Sequence, residues 1–281
     1  MKPPKDRAPK SRRRDTQNSD RLADQLLAQA LQKYGAGSLI DARTIAEAAL
    51  KRRPHHAETL NVLGVFLAEL GDAPKAAATL EQAVSVAPRA AMLRANYSLA
   101  LRLAHRLQEA AVQAREAVRL DPREAAGYDK LCTALRDLGD LAGAEAAGRE
   151  ATRLAPQQPF VWVNFANVLL DRDKSEEAEA ALVKAMRLAP AVPEIWSAMG
   201  PLYLKQSRYD DALNVFRKAL ELRRSTEWWP LLGAPKSVPP QTPQITNTLK
   251  LRHDIEQLGF LAARGRLPAG AEHLAAIFER S

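Results

Sequence analysis

Large apolar residues recur through residues 23–226 at spacings of three and four, as in Leu60, Leu63 and Leu67, in Trp162, Phe165 and Leu169, and in Trp196, Met199 and Tyr203. That spacing lays each trio along one stripe of an α-helix. After each stripe comes a polar turn: Gly71-Asp72, His105-Arg106, Gly139-Asp140, Asp173-Lys174 or Ser207-Arg208. Glycine and aspartate there end one helix and cap the next. A second helix follows, marked by small residues. Ala42, Ala76, Ala110, Ala144, Ala178 and Ala212 stand 34 residues apart, and Ala49, Ala83, Ala117, Ala151, Ala185 and Ala219 keep the same interval seven places later. Pro54, Pro88, Pro122, Pro156 and Pro190 close the second helices, since proline has no amide proton to donate. The unit is therefore helix, short turn, helix, and the alanines let its two helices approach closely.

The order Trp196, Met199-Gly200, Tyr203, Ala212, Phe216 resembles the tetratricopeptide repeat, whose pattern is Trp-x2-Leu-Gly-x2-Tyr, Ala-x3-Phe and Pro over 34 residues. Leu60, Leu63-Gly64, Leu67, Ala76 and Leu80 follow the same order. Ahead of Pro54 the unit is degenerate at its front, with Leu26, Gln29-Ala30 and Lys33, as suits an end cap whose outer side meets water. The resemblance implies an all-α fold, an α-solenoid wound as a right-handed superhelix of about six helix-turn-helix repeats over residues 21–226. One such unit is shorter than the roughly 40 residues at which a domain can usually stand alone, so the units must stack.

The flanks differ in composition. Residues 1–20 hold Lys2, Lys5, Arg7, Lys10 and Arg12-Arg13-Arg14 against Asp6, Asp15 and Asp20, half of the formal net charge of +8. They read as a disordered basic tail, the alternative being an arm for nucleic acid or an acidic surface, or a nuclear address. The repeats are nearly balanced in charge, which speaks against an extended nucleic-acid groove despite a pI of 9.7. Residues 227–247 carry Trp228-Trp229 and five prolines and predict a stiff connector. Residues 248–281 predict a helical segment, with Leu251, Ile255, Leu258 and Ala262 on one stripe, either folding back as a cap or seating a further domain. No apolar run reaches the length of a membrane span. One cysteine excludes an internal disulfide framework and points to a reducing, cytoplasmic setting.

Catalytic patterns are missing from the chain. It has no phosphate-binding glycine loop and no Gly-x-Ser-x-Gly, and neither His55-His56 nor His253-Asp254 makes a metal-ligand spacing. Cys132 stands where other units have Gly64, Ala166 or Gly200, a packing place. We expect no cofactor, no metal and no enzymatic activity, but a scaffold for a protein or peptide partner. In stacked hairpins the first helices line an inner surface. The candidate groove on it comprises Asn61, Val65, Leu99, Arg102, Asp129, Arg136, Phe160, Val163, Asn167 and Leu170, several of them apolar where a merely solvated face would be polar. Phe160, Val163, Leu170 and Leu99 would supply apolar contacts, while Arg102, Arg136 and Asn167 would hold backbone or carboxylate groups. The alternative is that tight winding buries these positions against the next unit. Pro201, inside a first helix, marks either the groove's edge or a tolerated kink.

Family comparison narrows the ligand. The lysines and asparagine with which some tetratricopeptide domains clamp a terminal carboxylate are replaced here by Asn61, Val65, Ala126 and Lys130, an incomplete set. The asparagine ladder of other arrays is reduced to Asn96 and Asn164. A second reading comes from residues 249–267, which resemble connectors joining bacterial repeats to a 2-oxoglutarate and iron dioxygenase. On that reading the chain would be the recruiting arm of such an enzyme.

Overall fold

A computed structural model describes residues 10–227, with side chains described for residues 18–222. Among these residues twelve α-helices form six hairpins: α1 Lys10–Gly35 and α2 Leu39–Arg52, α3 Ala57–Glu69 and α4 Ala73–Val86, α5 Ala91–Leu103 and α6 Leu107–Leu120, α7 Ala125–Asp137 and α8 Leu141–Leu154, α9 Pro159–Asp171 and α10 Ser175–Leu188, α11 Pro193–Lys205 and α12 Tyr209–Glu227. The expected connector and C-terminal helical segment lie outside the described residues. The stretch read as a basic tail overlaps α1, which begins at Lys10.

The turns repeat as faithfully as the alanines. Gly37, Gly71, His105, Gly139, Asp173 and Ser207, each 34 residues on from the last, all have positive φ between 58° and 82°. At each, two backbone bonds close the helix end, as when Gly71 N–H reaches Ala68 C=O at 3.1 Å and Asp72 N–H reaches Leu67 C=O at 2.9 Å. Glycine adopts this left-handed backbone without cost, whereas His105, Asp173 and Ser207 adopt it against their Cβ. Of the expected caps, Asp72 and Asp140 accept from the amides of Lys75 and Gly143. Arg106 and Lys174 stand at the same place without a side-chain cap.

The prolines act through the residue before them. Arg53, Ala87, Asp121, Ala155 and Ala189 are each pushed to φ between −125° and −144°, out of the helical region, although each still donates its N–H to the alanine four residues back. The missing donor on proline is therefore the lesser cause of the helix end.

Both alanine series are buried, none of the twelve more than 1% exposed. Opposite them the first helices offer a second small position, Gly64, Ser98, Cys132, Ala166 and Gly200. A Cβ on Gly64 would come within 2.4 Å of Leu80, and one on Gly200 within 2.0 Å of the Phe216 ring. Size is thus exchanged across these two hairpins, a bulky residue on the second helix meeting a first helix without a side chain. In the end unit, degenerate at its front, the contact to the next hairpin comes from the residue after Lys33. Tyr34 stacks on Phe66 with ring centroids 4.9 Å apart and donates to Glu69 at 2.7 Å.

From α3 to α9, each first helix packs on its own second helix, on the second helix of the hairpin before, and on the first helix of the hairpin after. First helices therefore stack directly, α3 on α5, α5 on α7, α7 on α9 and α9 on α11, and successive second helices show no comparable packing among the described residues. Closer spacing on one side curves the stack, and the first helices line the inner side.

Candidate functional site

Side chains on the inner helices fall into rows. Nearest the helix starts run Glu58, Met92, Ala126, Phe160 and Glu194, with Met92 45% and Phe160 48% exposed. Next come Asn61, Ala95, Asp129, Val163 and Ser197, then Val65, Leu99, Thr133, Asn167 and Pro201, then Ala68, Arg102, Arg136, Leu170 and Leu204. Helix α11 runs unbroken through Pro201, whose ring is exposed.

Polar groups in these rows are joined to the next hairpin by the chain itself. Asn96 Nδ2 donates to Asn61 Oδ1 at 2.8 Å, and Asn164 Nδ2 donates to Asp129 Oδ1 at 2.8 Å. Arg102 Nη1 meets Asp137 at 3.0 Å, Arg136 Nε meets Asp171 at 2.5 Å, and Lys205 Nζ donates to the Leu170 carbonyl at 2.6 Å. Each of these pairs is 35 residues apart, one more than the repeat. Along a first helix, the residue one place on is the one that faces its counterpart in the hairpin before.

The expected groove residues thus separate. Asp129 and Leu170, each 7% exposed, are buried between hairpins. The guanidinium groups of Arg102 and Arg136, expected to hold a partner's carboxylate, are occupied by Asp137 and Asp171. Asn61 is tied to Asn96, while Val65, Leu99, Val163 and Asn167 are half-buried and Phe160 stands out into solvent. Asn96 and Asn164, which a ladder of identical residues would leave as two broken rungs, each cross to a partner of another kind or place. Sequence reasoning missed these partners because it matched positions 34 apart; searching at 35 for complementary pairs would have found Arg102 with Asp137 and Arg136 with Asp171. Met92 belonged to the right row but was not singled out.

Burial raises the Glu69 carboxyl above its ordinary range, since the charge loses solvation there and the bond from Tyr34 offsets this only in part. Cys132 is 1% exposed and burial pushes its thiol up to about 12, so it is a packing residue with no thiolate character near neutrality. Among the described residues no group of three His, Cys, Asp or Glu side chains is placed to hold a metal ion, and no helix is long and apolar enough to cross a membrane. A shallow hollow of about 530 Å³ opens on the outer side over α7, between Arg115 of α6 and Gly143 and Ala146 of α8.

Comparison with known proteins agrees with this architecture. The tetratricopeptide-repeat profile matches residues 27–85, 67–125 and 163–227, more than half of the chain. A thermophilic TPR protein of Thermus thermophilus is 25% identical and superposes with a TM-score of 0.58, covering 68% of this chain and 98% of that one. PilF of Pseudomonas aeruginosa, 21% identical, gives 0.56 over 74% of this chain and 93% of its own. The APC/C hetero-tetramer Cut9–Hcn1, 18% identical, gives 0.60 over 85% of this chain and 44% of that one. No match was found among curated proteins.

Proposed function

Since the chain belongs to the tetratricopeptide-repeat family, whose members are typically scaffolds that bind protein or peptide partners, we propose that it binds an extended or helical peptide on the inner surface of its stacked hairpins. The observation that carries this is the row from Met92 through Ala126 to Phe160, in which two large apolar side chains stay about half exposed on a surface whose two arginines, Arg102 and Arg136, are already paired with Asp137 and Asp171. Arginines paired within the chain are not held in reserve for a partner's carboxylate. The partner then gains affinity mainly by covering apolar surface, and its apolar residues would be spaced to meet Met92 and Phe160 across two hairpins, roughly 20 Å at an interaxial spacing of 8–10 Å.

Covering the exposed half of a phenylalanine is worth about 1–1.5 kcal/mol, or roughly tenfold in affinity. Peptides selected from a random displayed library on the whole chain should therefore bind Phe160→Ala about tenfold more weakly, while its far-ultraviolet circular dichroism stays that of the wild type. Two results would end this reading. One is unchanged binding by Phe160→Ala. The other is a stability loss in the 3–5 kcal/mol range of a core deletion, which would make Phe160 a packing residue instead.

A further inference from the structure

Helix α8 differs from the other second helices on the face it turns to the next hairpin. At the three places where α4 has Ala77, Leu80 and Val84, and α10 has Glu179, Leu182 and Met186, α8 has Glu145, Gly148 and Thr152. No large apolar side chain stands there. Glu145 is 2% and Thr152 6% exposed, and with Asp129 on α7 they make three of the five buried polar residues described, all at the joint between α7–α8 and α9–α10. The gap between the stretches that match the repeat profile, residues 126–162, contains α8.

Charge fills the place of apolar packing. Glu145 receives Arg172 Nη1 at 2.5 Å and Lys174 Nζ at 2.7 Å, both from the turn joining α9 to α10, and Arg149 of its own helix. Glu177 of α10 in turn meets Arg149 at 3.5 Å and Lys174 at 3.7 Å. On the inner side the same joint is crossed by the Asn164–Asp129 and Arg136–Asp171 pairs. The buried apolar side chains divide here. One large group runs from Ala30 to Ala147 and takes in only Val168 from beyond, a second runs from Phe165 to Val215, and Ala212, Leu213, Phe216 and Leu220 of α12 form a smaller group of their own, as do Leu60, Ala83 and Leu93. The ring of Phe165 lies against the bare backbone of Gly148, where an added Cβ would come within 2.5 Å.

We propose that the array is jointed between α8 and α9, the α1–α8 and α9–α12 blocks being held together there in large part by the ionic cluster around Glu145. A joint held by charge responds to salt and to loss of its central carboxylate, which would leave Arg149, Arg172 and Lys174 facing one another. Met92 stands on one block and Phe160 on the other, so the joint also sets the spacing of the two exposed apolar side chains. The joint itself does not depend on what binds there.

Hydrogen exchange along the whole chain tests this. Glu145→Ala should speed exchange throughout α9–α12 by about tenfold or more while leaving α3–α7 unchanged. Raising salt from about 0.05 M to about 0.5 M should act in the same direction on the wild type. Lys174→Gln, which leaves Arg149 and Arg172 on Glu145, should give the same pattern more weakly and serves if Glu145→Ala fails to fold. Glu179→Ala is the control, because α10 keeps Leu182 and Met186 on that face and should confine any change to α11–α12. The proposal is overturned if Glu145→Ala and Lys174→Gln alter exchange evenly along all the helices or not at all, or if Glu179→Ala opens α9–α12 as strongly.

Discussion

The contact between Gly200 and Phe216 offers the sharpest test of how these hairpins pack. A methyl group added at Gly200 would sit 2.0 Å from Phe216 Cζ and 2.3 Å and 2.7 Å from two further ring carbons. Ordinary carbon contacts are about 3.5–4.0 Å, so the ring has to retreat by about 1.5 Å. Phe216 is 1% exposed and has nowhere to go without moving α12. Overpacking of this kind costs about 1–3 kcal/mol, and the upper end applies to so close an approach. Against it stands the gain from replacing a helical glycine by alanine, roughly 0.5–1 kcal/mol. Gly200→Ala should therefore destabilise by a net of about 2 kcal/mol. In a Phe216→Leu background, which copies the Ala166 and Leu182 arrangement one hairpin earlier, the ring is gone and most of the obstruction goes with it, so the helix gain offsets the small clash that a leucine leaves. The two substitutions should then couple by about 1.5–3 kcal/mol. Because a repeat array need not unfold in one step, urea denaturation by circular dichroism should be paired with hydrogen exchange in α11 and α12. A stabilising Gly200→Ala in the wild-type background, or a cycle additive to within about 0.5 kcal/mol, would refute the reasoning.

Two further outcomes follow from the turns and the charges. His105→Gly and Ser207→Gly each relieve a left-handed residue of its Cβ and should raise the urea midpoint by an amount worth about 1 kcal/mol, whereas Gly71→Ala should lower it similarly. The bond from Lys174, with the charges of Arg149 and Arg172, holds the Glu145 carboxyl below its ordinary range. Its folded value lies below its unfolded one, so the stability it contributes is complete above about pH 4.3 and is lost as the pH falls through the folded value. Acid titration followed by exchange should show α9–α12 weakening in that window, and Glu145→Gln should remove that component. Glu69, raised by burial, works with the opposite sign, being protonated more readily in the folded chain.

Much of the fold is written in the chain at short range. The alanine series, the turn residues and the prolines act within one hairpin through backbone sterics and close helix approach, so a 34-residue period names the elements and nearly their limits. The contact of Tyr34 with Phe66 and Glu69, which lies between the first two hairpins, is already beyond that local reading. What faces what between hairpins depended on how each first helix is rotated against the next, and no local signal carries that angle. The rotation pairs residues 35 apart, so it took Arg102 and Arg136 from an expected ligand and gave them to Asp137 and Asp171, and it buried Asp129 and Leu170 while leaving Met92 and Phe160 exposed. The composition of one hairpin could be read from its own residues. Which of its side chains remain free for a partner was decided by the neighbours, because burial belongs to the stack and not to the unit.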